Sequence, residues 1–140
     1  MSRKLSDLHP KMQPLVMDFL QACSGEGIDL LITCTYRSPS EQAELFAQGR
    51  TAPGRIVTNA RPGQSMHNVS VAGIPASLAV DVVPLRMGKP VWDGSDPVWA
   101  VVAKLGKESG LAWGGDWTTF RELAHFQHPQ AKELSEVIHA

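Results

Sequence analysis

The segment 78–83, Leu-Ala-Val-Asp-Val-Val, limits what this chain can fold into more than any other stretch. It is an apolar run between Pro75 and Pro84, which is typical of a buried β-strand. Asp81 lies in the middle of the run, where a carboxylate costs several kcal/mol unless it is paired or binds a metal. We therefore predict a strand within a sheet, with Asp81 facing a polar site on one side.

Helix and strand signals on both sides of this segment define the fold class. Apolar spacing, caps and glycines predict helices at 8–23, 38–49 and 96–109 and a last one from Pro129, with further strands at 28–36 and 125–127. A chain of 140 residues has the size of one domain. We predict an α+β fold, a small antiparallel sheet flanked by helices, in a single domain covering residues 1–140. The apolar face of the last helix is predicted to hold Ala131, Leu134, Val137 and Ile138.

Charge and hydropathy exclude some classes of partner. The net charge is −1 and Lys and Arg form no cluster, which argues against nucleic acid. No segment approaches the roughly 20 apolar residues of a membrane span, and no apolar stretch follows the basic N-terminus as in a signal peptide. We expect a chain made in the cytoplasm, without stable membrane association.

The two cysteines, Cys23 and Cys34, are too few for a disulfide framework, and their spacing matches no zinc knuckle. Cysteine is among the residues most often buried. We expect two reduced, buried thiols.

A capping box marks the start of the second helix. Ser38 can accept a hydrogen bond from the Glu41 amide, and the Glu41 carboxylate can reach back to the Ser38 amide. Gln42 then lies in the first turn, close to Arg37 at the end of the preceding strand. Arg37 is a candidate site residue, although a surface ion pair with Glu41 or Glu44 is an equal alternative.

The segment 50–64 is predicted to be a long surface loop, because it holds two Pro and two Gly and only one apolar pair. Loops of this length are usually functional. It leads directly to Ser65 and His67.

Three side chains of the metal-ligand type, His67, Asp81 and His125, match the needs of a catalytic zinc. Such an ion takes three protein ligands and leaves the fourth position to water. Glu122 is the candidate for the carboxylate that moves the proton. Because side chains alternate along a strand, Glu122 must lie on a turn or bulge before the His125 strand to share the site.

Other histidines and carboxylates leave further interpretations open. His9 and His139 are expected to be ordinary packed or surface residues. His128 is a candidate for a substrate contact or for an outer partner of the metal ligands. A carboxylate pair of Asp116 and Glu122 would suit glycoside hydrolysis, but that interpretation leaves the histidines unexplained.

The four tryptophans are candidates for an aromatic groove that binds sugar or peptide. Apolar neighbours favour the core for Trp99 and Trp113, which leaves Trp92 and Trp117.

Seven short motifs, in order, resemble the LAS group of zinc peptidases, named for lysostaphin, the D-Ala-D-Ala metallopeptidases and the sonic hedgehog domain. Within the group they are most similar to L-alanyl-D-glutamate peptidases of bacteriophage endolysins and bacterial wall enzymes. The motifs are Thr35-Tyr36-Arg37-Ser38 with Glu41-Gln42, Gln48-Gly49-Arg50-Thr51, Ile56-Val57-Thr58, Ser65-Met66-His67-Asn68, Ala79-Val80-Asp81, Trp113-Gly114-Gly115-Asp116-Trp117 and Glu122-x-x-His125-Phe126.

The resemblance implies a role for each matching residue. The implied zinc ligands are His67, Asp81 and His125. Glu122 is the implied catalytic base, and Arg37 the cation that steadies the oxyanion or the substrate carbonyl. Ser65 and Gln42 would assist at the substrate.

The resemblance also implies a function. Our leading hypothesis is a monomeric Zn2+ endopeptidase of a phage lysis system, which cuts the L-Ala/D-Glu amide in the peptide stem of peptidoglycan. It would carry no separate wall-binding domain and would reach the periplasmic wall from the host cytoplasm through a holin. A D,D-carboxypeptidase on the same scaffold and a non-catalytic zinc-containing wall-binding module are the alternatives. Glu122 argues against the last, because a structural zinc needs no base.

One departure from the family pattern lies between His67 and Asp81, which are separated by thirteen residues, more than the family spacing. Ser77 stands where the family has a glycine. We predict that the segment 69–76 is an insertion that loops out beside the zinc and shapes which peptide enters.

Overall fold

A five-stranded antiparallel sheet is the centre of the structure, which is a computed structural model describing residues 1–139. The strands are β1 (Asp29–Cys34), β4 (Ala79–Arg86), β5 (Lys89–Pro90), β6 (Ala112–Trp113) and β7 (His125–Gln127). Their order is β1-β4-β7-β6, and β5 pairs with the far end of β4. The predicted apolar strand around Asp81 is therefore the central strand, with partners on both sides.

Four helices flank the sheet, so the predicted α+β fold is confirmed. They are α1 (Gln13–Gly25), α2 (Pro39–Ala47), α3 (Val98–Glu108) and α4 (Ala131–His139). The Ser38 capping box is present in full, and the Asp96 carboxylate accepts from the Val98 amide at the start of α3. The side chains of Val137, Ile138 and His139, about which we made predictions, lie outside the described residues.

Two element boundaries differ from the prediction by three residues or more. The first helix starts at Gln13 and not at residue 8, because Leu8 forms a bridge to Ser77. β4 continues through Pro84, which we expected to end it. The Pro84 carbonyl accepts from the Val91 amide. The nitrogen and oxygen of one residue point to the same side of a strand, so the missing N–H breaks no bond to β1.

The hydrophobic core fills the space between the sheet and helices α1 and α3. Val80 and Val82 face it from β4, and the rings of Phe19 and Phe126 meet there with centroids 4.7 Å apart. Gly106 of α3 is in contact with Phe126, and a Cβ there would lie 2.5 Å from the ring. Because side chains alternate along β4, Asp81 points to the opposite face.

A β-bulge in β1 changes which residues share that opposite face. Ile32 pairs with Val82, but the next pair is Cys34 with Asp81, so Thr33 is the extra residue. Residues directly opposite each other in a sheet point to the same side. The bulge therefore places Cys34 on the face that carries Asp81.

The predicted insertion forms a small hairpin of β2 (Ser70–Val71) and β3 (Ile74–Pro75). Val69, just before it, packs against Leu78 and Ala131 in a second, smaller apolar cluster. Val71 and Ile74 are exposed. The hairpin is thus fixed at its base and open at its tip.

Among the described residues, no helix is both long enough and apolar enough to cross a membrane.

Candidate metal centre

A cavity of about 840 Å³ opens over the polar face of β4. Its floor includes Asp81 of β4, His125 of β7 and His67. Two loop segments, 57–60 and 117–120, contribute further lining residues. The long loop predicted before Ser65 thus borders the cavity, and Ser65 also lines it.

Three predicted ligand side chains meet at one carboxylate oxygen. Nε2 of His67 lies 3.1 Å from Oδ1 of Asp81, and Nδ1 of His125 lies 3.3 Å from the same oxygen. The two imidazole rings stand edge to face with centroids 5.1 Å apart. Both imidazoles therefore face the same oxygen of Asp81.

The donor set fits a zinc ion. Two ligands at the usual zinc distances in a tetrahedral site lie about 3.3 Å from each other, close to the separation of each imidazole nitrogen from the Asp81 oxygen. The outward nitrogens have other partners, since Nδ1 of His67 lies 2.8 Å from the Thr35 carbonyl and Nε2 of His125 lies 2.8 Å from Oε1 of Gln127. Protons on those outward nitrogens leave both inward nitrogens with lone pairs for a metal.

Glu122 lies beside this centre, as the prediction required. It precedes a turn at Leu123 and Ala124, which the His125 amide closes onto the Glu122 carbonyl. Its Oε2 is 3.5 Å from Nδ1 of His125. Burial raises the pKa of the Glu122 carboxyl, which favours a group that accepts and returns protons.

Gly114 makes room for this arrangement. A Cβ at Gly114 would lie 2.5 Å from the Glu122 carbonyl oxygen and 3.1 Å from Cβ of His125. The glycine turn between Trp113 and Trp117 therefore allows the segment with Glu122 to approach the sheet.

Arg37 points at the other oxygen of the same aspartate. Its guanidinium lies 3.5 Å from Oδ2 of Asp81 and donates to Oε1 of Gln42 at 2.9 Å. Asp81 thus directs one oxygen to the imidazoles and the other to Arg37. The alternative of a surface pair with Glu41 or Glu44 is not what the structure has.

The charges of this group are strongly coupled. Burial alone would raise the pKa of Asp81, but the charge of His67 and hydrogen bonds from both imidazoles outweigh it, and the pKa lies below its usual range. Burial lowers the pKa of His67, yet the Asp81 charge and hydrogen bond reverse the direction and raise it. The carboxylate is therefore ionised and ready to act as a ligand.

Two predicted substrate residues have other positions. Gln42 is fully buried outside the cavity lining, where it binds Arg37 and donates to the Ala60 carbonyl at 2.8 Å. It is placed to orient Arg37 and the loop, and the prediction of a substrate contact is corrected accordingly. Ser65 lines the cavity and its Oγ accepts from the His67 amide, so it also holds the turn that carries His67.

His128 does not reach the site. It is buried outside the cavity lining, its Nδ1 accepts from the Gln130 amide, and its pKa is lowered by burial and by the nearby charges of His9 and Lys11. The His128 amide donates to the Leu78 carbonyl, so the pairing with β4 continues to this residue. Because side chains alternate along a strand, position 128 faces the side of the sheet opposite to position 125. The substrate prediction for His128 is wrong.

Neither the insertion hairpin nor Asp116, on which the glycosidase alternative depends, lines the cavity. None of residues 69–76 lines it, so the prediction that the insertion borders the zinc is wrong; its base packs toward α4 instead. Asp116 lies on the surface 3.1 Å from Lys107 and forms no carboxylate pair with Glu122 in the cavity.

The tryptophans divide between core, surface and site. Trp99 is buried, Trp92 is 62% exposed, and Nε1 of Trp113 donates to the Leu123 carbonyl. Trp117 lines the cavity with its ring 4.9 Å from that of His125. One tryptophan therefore borders the site, and no aromatic groove forms in the described residues.

Three residues at the site were missed from the sequence: Thr35, Cys34 and Gln127. Gln127 carried a signal, because it lies two positions after His125 on the same face of the strand. The positions of Thr35 and Cys34 depend on the bulge, for which the sequence gives no sign. Oγ1 of Thr35 is buried without a hydrogen-bond partner.

Comparisons with known proteins identify the family. A family model described as D-alanyl-D-alanine carboxypeptidase matches residues 58–128, and the VanY model of the same description matches residues 5–86. The chain is 37% identical to the peptidoglycan L-alanyl-D-glutamate endopeptidase CwlK of Bacillus subtilis (strain 168) over 130 residues, 87% of this chain and 74% of that protein. The chain belongs to the LAS group of zinc peptidases. Within it, the chain is a member of the family that contains VanY and CwlK.

Solved structures share the fold. The L-Ala D-Glu endopeptidase ChiX of Serratia marcescens aligns with a TM-score of 0.64 and 20% identity, covering 92% of this chain and 86% of that chain. A mutant of the vancomycin resistance D,D-pentapeptidase VanY in complex with Zn(II) aligns with a TM-score of 0.62 and 16% identity, covering 95% and 79%.

Proposed function

We propose that this chain is a zinc-dependent endopeptidase that hydrolyses the L-Ala/D-Glu amide in the stem peptide of peptidoglycan. The observation that carries the proposal is the approach of His67 and His125 to one oxygen of Asp81, with Glu122 beside His125. The 37% identity to CwlK, whose name gives that activity, supports the choice of bond.

Each side chain has a part in the proposed reaction. His67, Asp81 and His125 would hold a zinc ion, which would supply an activated water and polarise the scissile carbonyl. Glu122 takes the proton from the attacking water and returns it to the leaving amine. Arg37, fixed by Gln42, holds its guanidinium toward the carbonyl oxygen as negative charge develops there.

A D,D-carboxypeptidase is the second candidate, and the descriptions of both matching family models favour it. Such an enzyme must hold the free carboxylate at the end of its substrate, for which a cation is the usual partner. Among the described residues, Arg37 is the one Lys or Arg that lines the cavity, and the proposed reaction already uses it at the scissile carbonyl. Met1 also lines the cavity, but its ammonium pairs with Glu41. This favours cleavage within a chain over removal of its last residue.

Mass spectrometry of digested peptidoglycan tests the proposal. Purified peptidoglycan is incubated with the zinc-loaded protein, and the new peptide termini are identified. We expect new C-terminal L-Ala and new N-terminal D-Glu, and neither with the Glu122→Gln variant. Release of free D-Ala without C-terminal L-Ala would replace the endopeptidase by the carboxypeptidase.

Zinc dependence has its own test. Protein purified without chelator is expected to hold about one zinc per chain. Removal of the zinc should abolish cleavage, and zinc alone should restore it. Full activity in a metal-free preparation would contradict the proposal. Protein that binds zinc but does not cleave peptidoglycan would favour the wall-binding module.

We further propose that the protein acts as a phage endolysin, a monomer that is made in the host cytoplasm and passes a holin to reach the periplasmic wall. The support is the likeness of its motifs to endolysin peptidases. Expression in a Gram-negative host should cause lysis only when a holin is expressed with it. Lysis without any holin would contradict this route.

A further inference from the structure

Cys34 is a buried thiol at the cavity that the proposed reaction leaves unused. It is the last residue of β1, it is 2% exposed, and it lines the cavity. The other thiol, Cys23, is buried among apolar side chains of the core. The chain therefore has one cysteine on each face of the sheet.

The β-bulge at Thr33 brings the Cys34 sulfur to the metal side. Without the extra residue, Thr33 would pair with Asp81 and the side chain of Cys34 would turn toward the core. Bulges often re-aim a side chain next to an active site. The backbone of β1 thus departs from regular pairing at the step that delivers this sulfur.

The polar contacts of the thiol are long. Its Sγ is 3.6 Å from Nδ1 of His67 and 3.9 Å from the Tyr36 carbonyl. Nδ1 of His67 has a closer partner in the Thr35 carbonyl, at 2.8 Å. The sulfur is therefore not needed to orient the imidazole.

Cys34, His67 and Asp81 form a donor cluster. One ligand atom from each lies within 4.8 Å of the others. A cysteine sulfur is a ligand that zinc and softer cations take readily. We propose that Cys34 is a sulfur ligand of the metal centre, which binds the ion together with His67 and Asp81 in a closed form. This inference rests on the proposed metal dependence.

Sulfur binding changes what the centre can do. As the sulfur–metal bond forms, the thiol releases its proton to solvent. With His125 as the fourth ligand, the ion would have no position left for solvent, as in structural zinc sites. The closed form is therefore inactive, and soft cations such as Cd2+ favour it over the open form.

Cobalt absorption tests the inference directly. The protein is loaded with Co2+ in place of zinc, and the near-ultraviolet sulfur-to-cobalt charge-transfer band is recorded. We expect the band in the wild-type protein and in the matched Cys23→Ala control, and its loss in Cys34→Ala. It should also be lost in Cys34→Ser, which keeps a hydrogen-bonding group but has no sulfur.

Cadmium supplies a second readout. Competition with a chelator should give an affinity for Cd2+ at least about tenfold lower in Cys34→Ser, since loss of outer partners alone costs metal sites that much. Cadmium NMR of the wild-type protein should show the downfield shift of a site with sulfur. This measurement needs no variant, so poor folding of a Cys34 variant cannot hide the result.

The outcomes separate this inference from the proposed function. Wild-type protein that binds one cobalt per chain without the band, or a band that survives in Cys34→Ser, overturns the role of Cys34 alone. Failure of the wild-type protein to bind cobalt or zinc overturns both.

Discussion

The two faces of the central sheet follow different physical rules. On one face, Val80 and Val82 pack with Phe126 against two helices, and burial of apolar surface stabilises the fold. On the other face, Asp81 and His125 are partly or fully withdrawn from water beside Glu122, and their burial opposes folding unless a partner or an ion compensates. Along β4 and β7, residues that stabilise the core therefore alternate with residues of the candidate metal centre.

The largest expected effect is on the polar face. Glu122→Gln removes the proposed base but keeps the shape of the side chain, so kcat should fall about 10²–10⁴-fold. Zinc content should remain at the wild-type level, because Glu122 is not a proposed ligand. Glu108→Gln on the exposed side of α3 is the control and should leave kcat unchanged. Equal activity of the two variants would remove Glu122 from the mechanism.

The matching test of the apolar face is Phe126→Ala. Deleting a fully buried ring next to Phe19 should lower the free energy of unfolding by about 3–5 kcal/mol. Urea unfolding of the metal-free protein measures it. Val101→Ala, at an exposed position of α3, serves as the control with a change below about 1 kcal/mol. A small loss for Phe126→Ala would mean that the core does not depend on this face.

A smaller effect is expected where a residue affects metal binding only by orienting one of the proposed ligands. Gln127→Ala removes the acceptor for Nε2 of His125, so the affinity for zinc should fall about 10–100-fold. Gln127→Glu restores an acceptor and should recover most of the affinity. If both variants bind zinc as the wild-type protein does, the orientation of His125 does not depend on Gln127.

The buried charged groups of the polar face should also lower the free energy of unfolding when no metal is bound. Burial raises the pKa of Glu122, so its charged form is disfavoured in the folded state. The neutral Glu122 carboxyl therefore contributes to the free energy of unfolding at low pH, and this contribution is lost as pH rises through the pKa that the group has in the folded state. Metal-free Glu122→Gln should therefore unfold at higher urea than the wild-type protein at pH 7, and the difference should shrink toward pH 4. A less stable variant at pH 7 would contradict this sign.

The smallest effect is expected far from both faces, at the exposed pair of Arg86 and Asp96. Hydrogen bonds from Arg86 and from the Val98 amide lower the pKa of Asp96 from 3.8 to about 2. The pair therefore adds stability above pH 3.8, which is lost as pH falls toward 2. Asp96→Asn should lower stability at pH 7 and flatten the dependence of unfolding on pH in that window, so that its difference from the wild-type protein disappears toward pH 2. An unchanged pH dependence would show that solvent screens the pair.

Local signals in the sequence were enough for much of the fold. The strand around Asp81 and the cap at Ser38 depend on neighbouring residues, and both were predicted. The same holds for the turn before His125, because one site had to contain both Glu122 and His125. These features need no knowledge of distant contacts.

The remaining features depend on contacts between distant segments. The bulge at Thr33 is set by how β1 pairs with β4, and nothing near Thr33 in the sequence indicates it. Gln42 was expected at the substrate, but the loop at Ala60 covers it and turns it into a support for Arg37. His128 was misjudged for a different reason: alternation along the strand already places positions 125 and 128 on opposite faces, and the His128 amide continues the pairing at the Leu78 carbonyl.

The hairpin of β2 and β3 offers a place to modify the protein without touching its chemistry. Its tip is exposed, it turns at Gly73 with φ of 79°, and no residue from 69 to 76 lines the cavity. Exposed turns with small residues tolerate inserted sequence well. A fused wall-binding module, an affinity tag or a surface anchor placed after Gly73 would leave the cavity open, so the segment that separates the two proposed ligands in the sequence is also a suitable attachment point for engineering.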